Sequence, residues 1–507
     1  MVQLPLLFLG ATAVVTYVIS KVIAKKPLSA QLPPGPKGLP LIGNVTDMPR
    51  EHEWKKYAEW GRQFGDIMSV TLLNQTIVIL NSARSVHAVL ENHSANSSNR
   101  PSLLFACEMV GWKNALGMSQ YDNRLKSMRK MVAKAIGTRS HMDVYQPGVQ
   151  IETHRLLKRM LLTPENVLDH LRQTVGSIIL LITYGYQVKE HDDPIIKVLF
   201  TAAHNLSDAV TPGAFLVDTL PILRYLPSWM PGGGFHKTAA KWNKTLAATV
   251  ELPFNYVKDQ MRAGNDIPSF TVTNLADVPP NSAEEKLVMW TSGSMYSAGA
   301  DATASQHYVF FLAMTLYPDV QAKAQAELDA VVGLDRLPSF TDRPVLPYIE
   351  ALFKEVLRWH QATPIGFPHR MIEDEIVDGY LVPKGAFVIP NQWQLLHDET
   401  VYKNPMEFNP DRFVGTDAER DPRDFCFGFG RRSCPGLHMG EASVWLTCAM
   451  TLAAFNIRKT KDASGKEVTP PVEFMSGTLS RPVLFPCDIK PRSAKHEALI
   501  NEVDFVH

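Results

Sequence analysis

Residues 427–436 read Phe-Gly-Phe-Gly-Arg-Arg-Ser-Cys-Pro-Gly and set one cysteine, Cys434, among glycines, arginines and a proline. Glycine permits left-handed turns and lets a backbone approach a flat ligand closely. Pro435 suits the first turn of a helix running on through residues 437–455. A sulfur just ahead of a helix start meets the positive dipole end and free amide groups, which favour thiolate over thiol. Arg432, two residues away, adds positive charge or binds an anionic group.

Three kinds of site suit such a loop. A zinc centre would recruit Cys434 with His438 or Cys426, but the spacing completes no four-ligand set. A buried structural cysteine would need neither the glycines nor the arginines around it. Axial ligation of haem iron by the Cys434 thiolate accounts for each of them. Cys107, Cys426, Cys448 and Cys487 are too few and too irregular for a disulfide framework, so they read as small buried hydrophobes in a reducing compartment.

The elements around the loop must hold it still. A long helix is expected over 284–316, carrying Ala298-Gly299-Ala300-Asp301-Ala302-Thr303. Glycine inside a helix costs about 1 kcal/mol relative to alanine. Close passage over a flat macrocycle would compensate, as would helix–helix packing through small residues. A helix over 347–360 puts Glu355 and Arg358 on one face, where such a pair is usually a surface ion pair. Residues 67–80 read as two strands about a turn at Asn74-Gln75, and helical patterns dominate from about 82 to 330. Short strands and loops follow 363, before a last helix near 436–453. Nothing resembles a linker between independent domains, so residues 45–507 form one mainly helical domain with a smaller β part.

Lys+Arg and Asp+Glu each number 51 in the 507 residues, which leaves no electrostatic footprint for nucleic acid. Repeats and low-complexity tracts are absent from the sequence. Residues 2–20 carry no charge and are followed by Lys21, Lys25 and Lys26. Nineteen residues in a helix match the hydrocarbon core of a bilayer, so 1–26 is expected to be a retained transmembrane anchor. Lysines on its carboxyl side leave the body in the cytosol. The proline-rich stretch 27–44 is expected to be a stiff hinge.

Phe427-x-x-Gly430-x-Arg432-x-Cys434-x-Gly436 resembles the haem-binding signature of cytochromes P450 at every fixed position. The resemblance implies the cytochrome P450 fold, haem b as cofactor, Cys434 as its iron ligand and Phe427 beside it. It implies that Glu355, Arg358 and Arg412 lock the segment leading into the loop. Arg129, Arg370 and Arg432 become candidates for the haem propionates, and Gly299 for the close approach to the ring. Asp301 matches the acid that feeds protons for O–O cleavage. Two positions depart from the pattern: Leu125 replaces the tryptophan before Arg129, and Ala302 replaces the usual threonine. Thr303 is one position on, about 100° around the helix. A relay through Thr303, an ordered water or a substrate hydroxyl, fed by Asp301, is expected in its place.

Segments placed near the substrate by the resemblance are mostly apolar, as at residues 102–112, 205–225, 363–367 and 474–479. They suit a hydrophobic small molecule. No flavin or nicotinamide fingerprint occurs, so electrons are expected from NADPH through a separate cytochrome P450 reductase, with cytochrome b5 as a second donor. The expected site is the endoplasmic reticulum membrane, with a single pass. Residues 223–233 and 379–385 resemble the fungal branch of the family, which implies oxidation of terpenoids, polyketides or indole-derived amines. Two alternatives stand beside a monooxygenase. One is a haem-thiolate isomerase, dehydratase or peroxygenase, which Ala302 favours; the other is a non-catalytic haem sensor.

Overall fold

The computed structural model describes residues 30–211 and 213–505. The expected anchor over 1–26 lies outside them, and among the described residues no helix is long and apolar enough to cross a membrane. The principal helices are α1 (Glu53–Phe64), α2 (Asn123–Ile136), α3 (Gln146–Leu162), α4 (Val167–Tyr184), α5 (Pro194–Val210), α6 (Phe235–Ala263), α7 (Ala283–Leu316), α8 (Pro318–Val331), α9 (Pro347–Trp359) and α10 (Leu437–Ala454). The fold is mainly helical, with a smaller β part to one side.

Helix α7 begins where Ser282 Oγ accepts the Glu285 amide at 3.0 Å, and Glu284 and Glu285 complement the dipole in its first turn. From Ala304 to Thr315 its residues are buried on every face, which makes it the central strut. Helices α4, α6 and α10 pack against it. Helix α10 is buried throughout from Glu441 to Ala454. Their contacts, with α3, α8 and α9, build the main apolar core.

Strands β1 (Ile67–Leu72), β2 (Gln75–Leu80), β3 (His369–Arg370) and β4 (Phe387–Pro390) form one sheet in the order β1-β2-β4-β3. The β1–β2 register pairs Leu72 with Gln75, so the turn falls on Leu73-Asn74, one residue earlier than expected. Both turn residues adopt positive φ, 44° and 73°. Two-residue hairpins require that geometry to match the strand twist.

The stretch expected as a hinge is bound to the β part of the body over its described part. Gln31 O accepts the Leu381 amide at 2.8 Å, and Pro34 O accepts the Ser69 amide at 2.9 Å. Gly35 allows this close approach, since a Cβ there would lie 1.9 Å from Ser69 O.

Candidate functional site

The cysteine loop joins a short helical turn, Arg423–Cys426, to α10. The Cys434 amide donates to Phe427 O at 2.6 Å and closes the loop on itself. Gly428 and Gly430 take φ of 73° and 54°. At Gly430 a Cβ would stand 2.2 Å from Leu90 O, so only glycine fits. Helix α10 starts at Leu437 with Gly436 as its cap, which puts Pro435 ahead of the cap and outside the first turn. Cys434 opens onto a cavity of about 560 Å³ shared with Tyr121, Lys126, Arg129, Lys130, Arg431 and His438. Burial raises the pKa of its thiol, while the Gly436 amide and the Arg129 charge act to lower it.

Three arginines crowd behind this loop. Arg129, on α2, donates to Ser433 O at 3.0 Å. Arg432 donates to Ser98 O at 2.7 Å and Ser119 O at 2.6 Å. Arg100 donates to Gly117 O at 3.1 Å, Phe367 O at 2.7 Å and Pro368 O at 2.8 Å. These carbonyl oxygens solvate the guanidinium groups without neutralising them. Burial, then Arg129, pushes Arg432 down to about 10. Burial, then Arg432 and Arg129, holds Arg100 well below its usual range. A concentration of uncompensated buried cations is costly unless an anion joins it. Such a cluster beside a cavity-facing thiol fits a flat metal complex bearing two carboxylates, as haem b does.

The strand pleat bears on one expected candidate, Arg370. Successive residues of β3 face opposite ways, so His369 is buried beside Arg100 with Nδ1 2.8 Å from Ser97 O. Arg370 points elsewhere, its Nη2 4.0 Å from where a Cβ on Gly385 would stand. Arg370 therefore lies outside the cation cluster, and Arg100 and His369, unnoticed in the sequence, lie inside it. The signal that finds them is burial, which a lone arginine in Asn99-Arg100-Pro101 does not carry.

Glu355, Arg358 and Arg412 do meet, and all three are buried. Arg358 binds Glu355 through two contacts, 2.6 and 2.8 Å, and Arg412 Nε reaches the same carboxylate at 3.2 Å. Glu355 also accepts the Asn409 amide at 2.7 Å. Arg358 donates onward to Leu396 O, Pro405 O and Glu407 O. One ion network thus pins α9 to the meandering chain that precedes the cysteine loop.

The middle of α7 is built otherwise. A Cβ on Gly299 would come 2.7 Å from Ile179 on α4 and 3.5 Å from Met439 on α10. Gly299 thus meets the demand of helix packing, the other reason weighed for a glycine there. Asp301 Oδ1 lies 3.4 Å from Arg172 Nε, again on α4. Ala302 and Thr303 are half-buried, and Ser305 spends its hydroxyl on Asp301 O at 2.7 Å.

Two of the segments expected near a substrate, 102–112 and 205–225, converge in one apolar cluster. Phe105 stacks on Phe215 with 3.4 Å between centroids, and Trp242 meets both edge-on. Asp218 accepts the Phe105 amide at 2.7 Å, and Ser294 on α7 accepts the Leu116 amide at 2.9 Å.

The family model for cytochrome P450 matches residues 33–485. The chain is 48% identical over 472 residues to cytochrome P450 monooxygenase 208 of Postia placenta, covering 92% of each. It is 44% identical to cytochrome P450 monooxygenase claR of Ampulloclitocybe clavipes, covering 94% of this chain and 89% of that one. With cytochrome P450 monooxygenase ppsD of Aspergillus oryzae it shares 40%, over 93% and 91%. The chain belongs to the cytochrome P450 family and is a monooxygenase.

Proposed function

We propose that this cytochrome P450 binds haem b through Cys434, takes electrons from a membrane-bound NADPH-dependent reductase, and oxidises an apolar molecule of fungal secondary metabolism. The observation that carries the reading is the cavity-facing Cys434 beside two buried arginines, Arg100 and Arg432, and the half-buried Arg129, whose charge awaits an anion. Arg100, Arg129 and Arg432 would hold the two propionates, and Phe427 and Gly436 would shape the thiolate face. When bound, haem supplies reductive activation of dioxygen. One oxygen atom enters the substrate and the other leaves as water, consuming two electrons and two protons.

The chain's own residues supply binding, orientation and protons. Asp301 is the proton entry, held toward α4 by Arg172. The final relay is Thr303, a water or a substrate hydroxyl. Lys126, Lys130 and Arg431 rim the cavity at Cys434 and suit an acidic protein such as the reductase or cytochrome b5. The aromatic cluster of Phe105, Phe215 and Trp242 suits a hydrophobic substrate.

Residues 1–26 serve as a single-pass anchor in the endoplasmic reticulum, with residues 45–507 as the cytosolic catalytic domain. Exposed Leu216, Leu220, Ile222, Tyr225 and Trp229 support a membrane-facing body. Reducing the purified protein under carbon monoxide tests the haem assignment. The red-shifted Soret band of thiolate ligation is expected, and Cys434→Ala abolishes both band and turnover. A variant that kept the band would overturn the assignment.

A second reading, an isomerase or peroxygenase, draws on Ala302 and on the engaged hydroxyl of Ser305. Turnover without NADPH and reductase would establish it.

A further inference from the structure

Helix α7 carries a histidine where its surroundings offer little to a polar ring. His307 is fully buried, with Nε2 3.3 Å from Ser443 Oγ on α10 and no partner for Nδ1 among the described residues. Burial pushes its pKa down to about 4, against a smaller opposing pull from the Ser443 main chain. The ring is therefore neutral at ordinary pH, with one N–H donor and one bare acceptor nitrogen. With Nε2 turned to Ser443, the bare nitrogen is Nδ1. A buried polar atom left without a partner calls for an explanation. Packing alone would be met at lower cost by an apolar side chain.

Thr303, one turn earlier on α7, has the matching surplus. Thr291, Ser294, Ser297, Ser305 and Thr315 each donate to the carbonyl four residues back. Ser292 meets the Thr271 hydroxyl at 2.9 Å. Thr303 is the one α7 hydroxyl without a partner among the described residues. Positions i and i+4 share a helix face, with about 5–6 Å between their Cβ atoms. A helical side chain also leans over the turn on its amino-terminal side, so the His307 ring lies over the turn that holds Thr303. An unpaired donor and an unpaired acceptor are thus neighbours, and such contacts commonly stay open until a site is loaded. The polar seam continues behind the ring. Thr447 and Thr451, one and two turns along α10 from Ser443, are buried hydroxyls that also lack partners.

We propose that His307 is a positioning residue for proton delivery: its Nδ1 accepts the Thr303 hydroxyl and turns the Thr303 oxygen to hold the water that Asp301 feeds. This rests on the reading of Thr303 as part of the final relay. His307 itself moves no proton. Ser443 fixes the tautomer, because an N–H committed to one partner leaves the other ring nitrogen as the acceptor. With its O–H spent on the ring, Thr303 offers only lone pairs to a water, which orients that water's donors away from α7. The device explains how the chain manages with Ala302: the hydroxyl stands one position on, and a histidine one turn further holds it.

The test uses the full haem-loaded chain, reduced and carbon-monoxide-bound so that it is diamagnetic, with isotope-labelled histidine for NMR. The His307 ring is assigned by its loss in His307→Gln. Nε2 should carry the proton, Nδ1 should resonate as a hydrogen-bonded acceptor, and Thr303→Val should move Nδ1 to the position of a bare acceptor. A proton on Nδ1, or an Nδ1 that Thr303→Val leaves in place, overturns the proposal. Turnover with NADPH, reductase and an ethoxycoumarin probe is read as hydrogen peroxide released per NADPH consumed. Thr303→Val and His307→Gln should each raise that ratio severalfold with the carbon-monoxide band intact. The double variant should be no worse than Thr303→Val alone, as for two residues acting as one unit. Additive effects, or a lowered Tm in His307→Gln with the ratio unchanged, assign His307 to packing and overturn the proposal. An unchanged ratio in Thr303→Val removes Thr303 from the relay, and the proposal falls with that reading. A ratio that rises while Nδ1 stays put sinks His307 alone. Should His307→Gln fail to hold haem, the ring is the resonance pair that Thr303→Val perturbs, and the absence of any perturbed pair overturns the proposal.

Discussion

The cysteine loop and the middle of α7 carry the two groups of residues assigned to the proposed haem site, and they constrain their residues in opposite ways. In the loop each residue is fixed by main-chain geometry: Gly430 by Leu90 O, Cys434 by Phe427 O, Arg432 by two carbonyls. The charge there is in surplus and buried. In α7 the side chains are fixed by neighbouring helices: Gly299 by Ile179 and Asp301 by Arg172. The charge there is paired and half-exposed. Holding a cofactor depends on a backbone shape that tolerates few residue types, whereas moving a proton needs only some hydroxyl or water within reach. The second requirement leaves room for Ala302.

Breaking the network behind the loop should have the largest effect. Glu355→Ala leaves Arg358 buried without a carboxylate and Arg412 with Glu419 alone, a loss of about 3–5 kcal/mol. Denaturant unfolding should show it as a lowered midpoint, with little holoprotein recovered. Next comes the cation cluster. Arg432→Leu should shorten haem retention roughly 10- to 100-fold, the usual penalty for a residue supporting a metal centre, read as transfer of haem to an apo acceptor. Unchanged retention would mean that the arginines serve only the loops at 98 and 119.

On the other face the effects should be smaller and confined to turnover. Asp301→Asn should lower kcat roughly 100-fold, as expected for a proton-donating group, with the carbon-monoxide spectrum intact. Ala302→Thr should have the least effect, read as product formed per NADPH consumed. Little change supports an existing relay through Thr303 or water; a large gain shows that the native chain has no effective substitute.

Much of this was legible in the residues, and the exceptions share a cause. Helix α7 was expected over 284–316 and spans 283–316, because a buried helix of that length with acidic residues at its start leaves little choice. The triad was legible as Glu355-x-x-Arg358, with Arg412 supplied by the resemblance, but its burial comes from chain segments more than fifty residues apart. Arg370 was named because an arginine suggests an anion site and its neighbour His369 was not weighed, whereas the pleat decides which of the two faces Arg100. For Gly299 both a close ligand and helix packing stood open, because the helical pattern does not show which helix lies opposite. Arg100 carried no local signal at all.

The sequence by itself determined the cysteine loop, the long helices and the family, since motif spacing and hydrophobic period are local properties of the chain. Only the tertiary structure decided which cations gather behind Cys434, that Asp301 turns to Arg172, and that residues 31–44 belong to the body. Each of these depends on burial and on partners brought in from distant segments, and neither is written in the order of the residues.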